Sequence, residues 1–121
     1  MAAAVAEAAA SADDTWTDVC AADAIVPDTG VCASVQGRHV AVFRLKGERY
    51  FAIDNVDPKS GASVLSRGLV GSLGEQIVVA SPLYKNHFDL RTGACLEDAA
   101  HSVGAHAVQV QDGRVRVALA A

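Results

Sequence analysis

The stretch HAVQVQDGRVRVALA, residues 106–120, leaves the chain that contains it little choice of fold. Two alternating runs flank Asp112-Gly113, a dipeptide that supplies the paired positive φ angles of a two-residue hairpin turn. In register, Val108 and Val110 meet Val115, Val117 and Leu119 on an apolar side, while Gln109, Gln111, Arg114 and Arg116 face outward. The same pattern recurs upstream. TWTDVC reads as a first strand, AADAIVPDTG as a loop broken by Pro27 and Gly30, and VCASV-QG-RHVAVFRL-KG-ERYFAIDN as three strands turning at Gly37 and Gly47. In the middle strand, Val40, Val42 and Arg44 take one face and Ala41, Phe43 and Leu45 the other. Both faces are largely apolar, which predicts a strand covered on both sides.

Residues 55–98 interrupt this rhythm. Their landmarks are Pro58, Gly61, Gly68, Gly71, Gly74, Pro82 and Gly93, with one internal strand, EQIVVAS, dividing the segment into two loops. No long segment has helical periodicity, and no repeat or linker divides the chain. The expectation is a single all-β domain over residues 15–121, an antiparallel β sandwich or barrel with a small loop-rich subdomain inserted at about 55–98. A flexible alanine-rich tail, residues 1–14, precedes it.

Composition narrows the function. The apolar fraction of 51% overstates the core, because 24 residues are alanine and seven of them lie in the first ten; the 17 valines are the core builders. A net charge of −4 with no basic run argues against a nucleic-acid partner. No window approaches the ~18 unbroken apolar residues of a membrane span. The N-terminus lacks a positive n-region and carries Glu7, Asp13 and Asp14, unlike a signal peptide. Cys20, Cys32 and Cys95 are odd in number with no C-x-x-C pair. They read as small buried hydrophobes in a reducing, cytoplasmic setting.

Two stretches have the frame of a metal site without its ligands: DPKSGASVL, residues 57–65, and SPLYKNHFDLRTG, residues 81–93. A Rieske centre takes two thiolates and two imidazoles from two such loops, in the order C-x-H and then C-x-x-H. Here those positions hold Asp57, Lys59, Ser81 and Tyr84, none of which suits sulfide-bridged iron. Of the remaining candidates, His87 reads as a hydrogen-bonding loop residue, and His39, His101 and His106 as exposed or strand-end residues. Asp54 and Asp57 read as turn-stabilising carboxyls, and Asp89 and Thr92 as builders of the FDLRTG turn.

The combination DNxDPxSxAxVLSRG with SPLYKxHFDLxTG is specific. From Trp16 to about Val117 the sequence resembles the ligand-free, Rieske-like small subunits of assimilatory NAD(P)H-dependent nitrite reductases. The resemblance implies a Rieske-like β fold, no cofactor in this chain, and a large-subunit partner. That partner would carry sirohaem, FAD and iron–sulfur centres and reduce nitrite to ammonium. The chain itself would be a non-catalytic docking subunit, with Lys59, Lys85, Asn86 and Arg91 near the docking tip. A free-standing Rieske ferredoxin serving an oxygenase is the alternative, and a module binding a small anion in the vacated site a weaker third. The two loops, lacking a cluster to join them, are expected to be stapled by side chains, with the Tyr84 ring in the former cluster space and its hydroxyl, or Lys85, bonded to the Asp57 loop.

Overall fold

A computed structural model describes residues 16–120; the expected tail, residues 1–14, lies outside the described residues. Among the described residues nine strands form two sheets: β1 (Thr17–Ala21), β2 (Thr29–Val35), β3 (Arg38–Leu45), β4 (Arg49–Asp54), β5 (Leu69–Leu73), β6 (Gln76–Ala80), β7 (His87–Asp89), β8 (Ala105–Gln111) and β9 (Arg114–Ala118). The larger sheet has the order β1-β9-β8-β4-β3-β2, the smaller β5-β6-β7. All pairings are antiparallel. Among the described residues the only helical turns are three short 3-10 pieces, at Ala22–Ala24, Leu65–Arg67 and Ala99–His101.

The terminal hairpin forms in the expected register, Val108 opposite Val117 and Val110 opposite Val115, with Gln109 opposite Arg116. Its turn residues Asp112 and Gly113 have φ of 53° and 76°, and Gln36 and Gly37 repeat that geometry between β2 and β3 at 50° and 82°. β8 changes partners along its length. Ala105 and His106 pair with β4, whereas Ala107 onward pair with β9, so the sheet turns a corner and curls.

The curl creates two cores. On one face Val40 and Val42 join Ile25, Val35, Tyr50, Val108, Val115 and Val117. On the other, Ala41, Phe43 and Leu45 join Phe51, Ile53, Leu65, Val79, Phe88 and Leu90. β3 is therefore covered on both sides, as its two apolar faces require. The second core is shared with the small sheet, which ties the segment between β4 and β8 to the curled sheet by burial of large aromatic and aliphatic side chains. At about 25 cal/mol per Å² of apolar area, a fully buried Phe88 alone contributes on the order of 2–3 kcal/mol.

That intervening segment has more strand than the sequence suggested. EQIVVAS contributes β6, but β5 and β7 flank it. β5 (LVGSL) is mostly exposed and β7 (HFD) is three residues long, so neither carries an alternation long enough to read. The cysteines also divide. Cys95 is buried, Cys20 half-buried and Cys32 exposed, so the expectation of three buried thiols fails at Cys32, which lies on the edge strand β2.

Candidate functional site

Three six-residue loops in the segment between β4 and β8 share one backbone design. In the first, the Asp57 N–H donates to Ala62 O, the Gly61 N–H returns to Asp57 O, and Asp57 Oδ1 accepts from the Lys59 N–H. In the second, the Ser81 N–H donates to Asn86 O, the Lys85 N–H to Ser81 O, and Ser81 Oγ accepts from the Leu83 N–H. In the third, the Asp89 N–H donates to Ala94 O, the Gly93 N–H to Asp89 O, and Asp89 Oδ1 accepts from the Arg91 N–H. Each begins with an acceptor side chain that caps the N–H two residues on, as Asp and Ser do in local turns. Each places a left-handed residue four positions on: Gly61, Lys85 and Gly93 have φ of 75°, 59° and 80°. The loops close by their own hydrogen bonds. The first and second begin at the positions where a Rieske centre would place its thiolates, and the oxygen acceptors there keep the turns satisfied.

The same two side chains also join the loops. Ser81 Oγ donates to Asp57 Oδ2 at 2.5 Å, with Asp57 0% and Ser81 1% exposed. Above this buried link, Lys59 Nζ lies 4.9 Å from the centroid of the Tyr84 ring, within cation–π range. The four substituted positions are thus two couples, thiolate position to thiolate position and imidazole position to imidazole position. The expectation for Tyr84 needs correction. Its ring is 51% exposed rather than buried in the former cluster space, and among the described residues neither its hydroxyl nor Lys85 bonds the Asp57 loop. A serine and an aspartate reach one another at hydrogen-bond distance, and that short link leaves the larger ring outside.

This donor set does not fit an iron–sulfur cluster. It offers no thiolate or imidazole at the four positions, and the Asp57 carboxyl is already engaged by Ser81 and Lys59. Among the described residues no group of three or more His, Cys, Asp or Glu side chains could hold a metal ion.

Asn55, which sequence reasoning did not single out, anchors the first loop. It is 1% exposed. Its Oδ1 accepts from the Ser66 N–H at 2.7 Å, and Nδ2 donates to Ser63 Oγ at 2.7 Å and to Cys32 Sγ at 3.3 Å. Its carbonyl accepts from both Val64 and Leu65 N–H, and its own N–H donates to His39 O. His39 is exposed, as expected, and pairs with Ser63 Oγ through Nδ1 at 2.9 Å.

A second cluster was not legible at all. Asp54 ends β4, and its Oδ1 accepts from Arg38 Nη2 and His106 Nε2, both at 2.8 Å, while Oδ2 accepts from the Gly104 N–H. His106 is 2% exposed, so the exposed reading fails, although it does stand at the start of β8. Its Nδ1 accepts from the Ala120 N–H, which fixes the proton on Nε2 and makes the ring a neutral donor to Asp54. Burial pushes the Asp54 carboxyl up, but donation from His106 and Gly104 and the Arg38 charge outweigh it and hold the carboxyl below its ordinary value. Asp54 does more than stabilise a turn, because it joins β3, β4 and β8. Arg38, His39, Asp54, Val56, Pro58 and Gly104 help line an open cavity of about 550 Å³.

The remaining candidates take simple roles. His87 opens β7 and binds Glu97 through Nδ1 at 2.6 Å, with its N–H on the other carboxyl oxygen. Donation by that backbone N–H is the main reason the Glu97 carboxyl sits below its ordinary value. Asp98 caps the last 3-10 turn by accepting from the Ala100 N–H, and His101 pairs with its other carboxyl oxygen through Nδ1. Lys59, Lys85 and Arg91 are exposed and Asn86 half-buried.

Against known proteins, residues 15–118 match the family model described as Rieske-like [2Fe-2S] domain. The chain is 45% identical over 103 residues to the small subunit of NADH nitrite reductase from Escherichia coli K12, covering 84% of this chain and 95% of that one. The solution structure of an NAD(P)H nitrite reductase small subunit from Erwinia carotovora superposes with a TM-score of 0.75 at 50% identity, covering 88% of this chain and 82% of that one. A stretch of the NAD(P)H nitrite reductase large subunit from Klebsiella oxytoca is 41% identical over 102 residues, which is 84% of this chain and 11% of that one.

Proposed function

The chain belongs to the Rieske-like [2Fe-2S] domain family and, within it, to the small subunits of NAD(P)H nitrite reductase, and from that premise we propose that it serves its enzyme without carrying electrons. It docks on and supports a cytoplasmic large subunit. That partner holds the sirohaem, FAD and iron–sulfur centres and performs the reduction of nitrite to ammonium. The observation that carries this reading is the pairing of high identity over nearly the whole domain with a donor set that does not suit a cluster. The Klebsiella large subunit adds to it, because a domain like this one there forms part of the large chain itself.

The face that docks is the tip made by the first two loops. Lys59 belongs to the first loop, Lys85 and Asn86 to the second together with the half-exposed Leu83 and Tyr84, and Arg91 to the third. Aromatic and apolar side chains ringed by charge are the composition of an interface centre and rim. Co-expression of the tagged chain with its large subunit tests the reading. A stable complex that contains sirohaem and oxidises NADH or NADPH with nitrite is the expected result. Recovery of the chain alone, red-brown and with its own iron, would favour the ferredoxin alternative.

A further inference from the structure

Lys85 occupies a backbone conformation that its two counterparts reserve for glycine. Gly61 and Gly93 fill the fifth position of the first and third loops at φ of 75° and 80°, while the second loop has Lys85 at 59°. Crowding does not dictate the choice at Gly61, where a Cβ would meet nothing within 4 Å. There the left-handed conformation itself is what disfavours a side chain, whereas at Gly93 a Cβ would also meet the Val103 carbonyl. Lysine, unlike Asn or Asp, has no short polar group with which to offset it.

Among the described residues four other non-glycine residues share positive φ, and each has a local reason. Gln36 and Asp112 are first in two-residue hairpin turns that require it. Asp28 accepts from the Lys46 N–H, and Glu48 binds Arg44 and Tyr50. The Lys85 side chain has no such internal contact among the described residues, and it is exposed. Strain at a residue whose side chain does nothing within the fold directs attention to what lies outside it.

We propose that Lys85 is the charged contact of the docking tip, holding a carboxylate of the large subunit beside the exposed Leu83 and Tyr84, and that the chain keeps it there at the expense of its own stability. The inference rests on the docking reading above. The buried Asp57–Ser81 link fixes the base of the second loop, so the ammonium is presented from a position set before the partner arrives. A carboxylate is the group a compact, strongly hydrated ammonium pairs with at a protein surface, and an apolar margin lowers the local dielectric around the pair.

The test uses the complete chain and its purified large subunit. Lys85→Gly relieves the strain and removes the charge together. Its unfolding constant should fall about threefold relative to the wild type, the left-handed relief being partly offset by glycine's greater unfolded-state freedom. Its Kd for the large subunit should rise about tenfold at low salt, with the gap narrowing as salt is added. Lys85→Gln keeps the strain and loses the charge, so it should bind as weakly as the glycine variant while matching wild-type stability. Lys85→Arg should retain affinity. Unchanged binding by both Lys85→Gly and Lys85→Gln would overturn the contact, and a glycine variant no more stable than wild type would overturn the strain. If the wild-type chain binds no large subunit, or binds only itself, the docking reading falls and takes the inference with it.

Discussion

Replacing Asn55 by alanine removes the side chain that holds the first loop against the curled sheet. The buried Ser66 N–H loses its acceptor at 2.7 Å, and an unsatisfied buried donor costs about 1–3 kcal/mol. The donations to Ser63 Oγ and Cys32 Sγ also vanish, but both acceptors are exposed and recover water, so they add about 0.5 kcal/mol. The small void left by the amide adds a similar amount. The sum is a loss of about 2–4 kcal/mol. With a urea slope of about 1.5 kcal/mol/M, the midpoint should drop by roughly 1.3–2.7 M at unchanged slope. Ser63→Ala, measured alongside, should lose under about 1 kcal/mol, since its partner Asn55 keeps the Ser66 bond. A loss below 1 kcal/mol for Asn55→Ala would refute the reasoning, because it would mean that Ser66 finds another acceptor and the loop needs no anchor.

Further outcomes are expected. Anaerobic reconstitution with iron and sulfide should leave less than stoichiometric iron on the chain by metal analysis, since the four positions offer a carboxyl, an ammonium, a hydroxyl and a phenol; one cluster per chain would sink this. Ser81→Ala should cost about 1–3 kcal/mol by stranding a buried carboxyl oxygen, and Tyr84→Ala under about 1 kcal/mol, because its ring is half in water; chemical denaturation that reverses this order would place the join between the loops in the outer couple. Reversing Lys59 and Lys85 together to Glu should weaken binding to the large subunit and change its salt dependence, read by titration at two ionic strengths. For pH, the Asp54 carboxyl titrates below its unfolded value, so its contribution is complete above the ordinary carboxylate range and is lost as pH falls through the lowered folded value. Asp54→Asn should flatten that acid limb of the stability curve, and an unaltered limb would show that other carboxyls govern it.

How far the sequence could be read follows from the distance over which its signals act. The hairpins announced themselves because Asp112-Gly113 and Gln36-Gly37 sit between residues that pair within a few positions of each other. The two-faced β3 was legible for the same reason, as alternation of Val40 to Leu45 is a local property. Asp57, Ser81, Lys59 and Tyr84 were picked out as a set because they stand at the ligand positions of the Rieske pattern the loops resemble, but which would meet which depends on side-chain reach, and the shorter pair reached first. A sequence signal for two of the loops was present and unused: Asp57 and Asp89 each precede a glycine by four positions, whereas the second loop has Lys85 there. His106 and Asp54 are 52 residues apart, and no local pattern could bring them together. Asn55 lay within the DNxDP motif, yet its role comes from Cys32, Ser63 and Ser66 converging on one amide.

The register of β1 on β9 has a consequence for how such a domain can be used. Thr17 stands opposite Val117, so the chain enters and leaves the sheet side by side. Val115 and Val117 belong to the core on one side of β3, whereas Leu65, Val79 and Phe88 belong to the core on the other. A linker joining Thr17 to Val117 would therefore need to span only a strand spacing of about 5 Å. Such a domain behaves as a cassette: it can be appended to or set within a longer polypeptide without unpicking a strand. The Klebsiella large subunit, in which a like domain occupies about a ninth of the chain, is what that geometry permits.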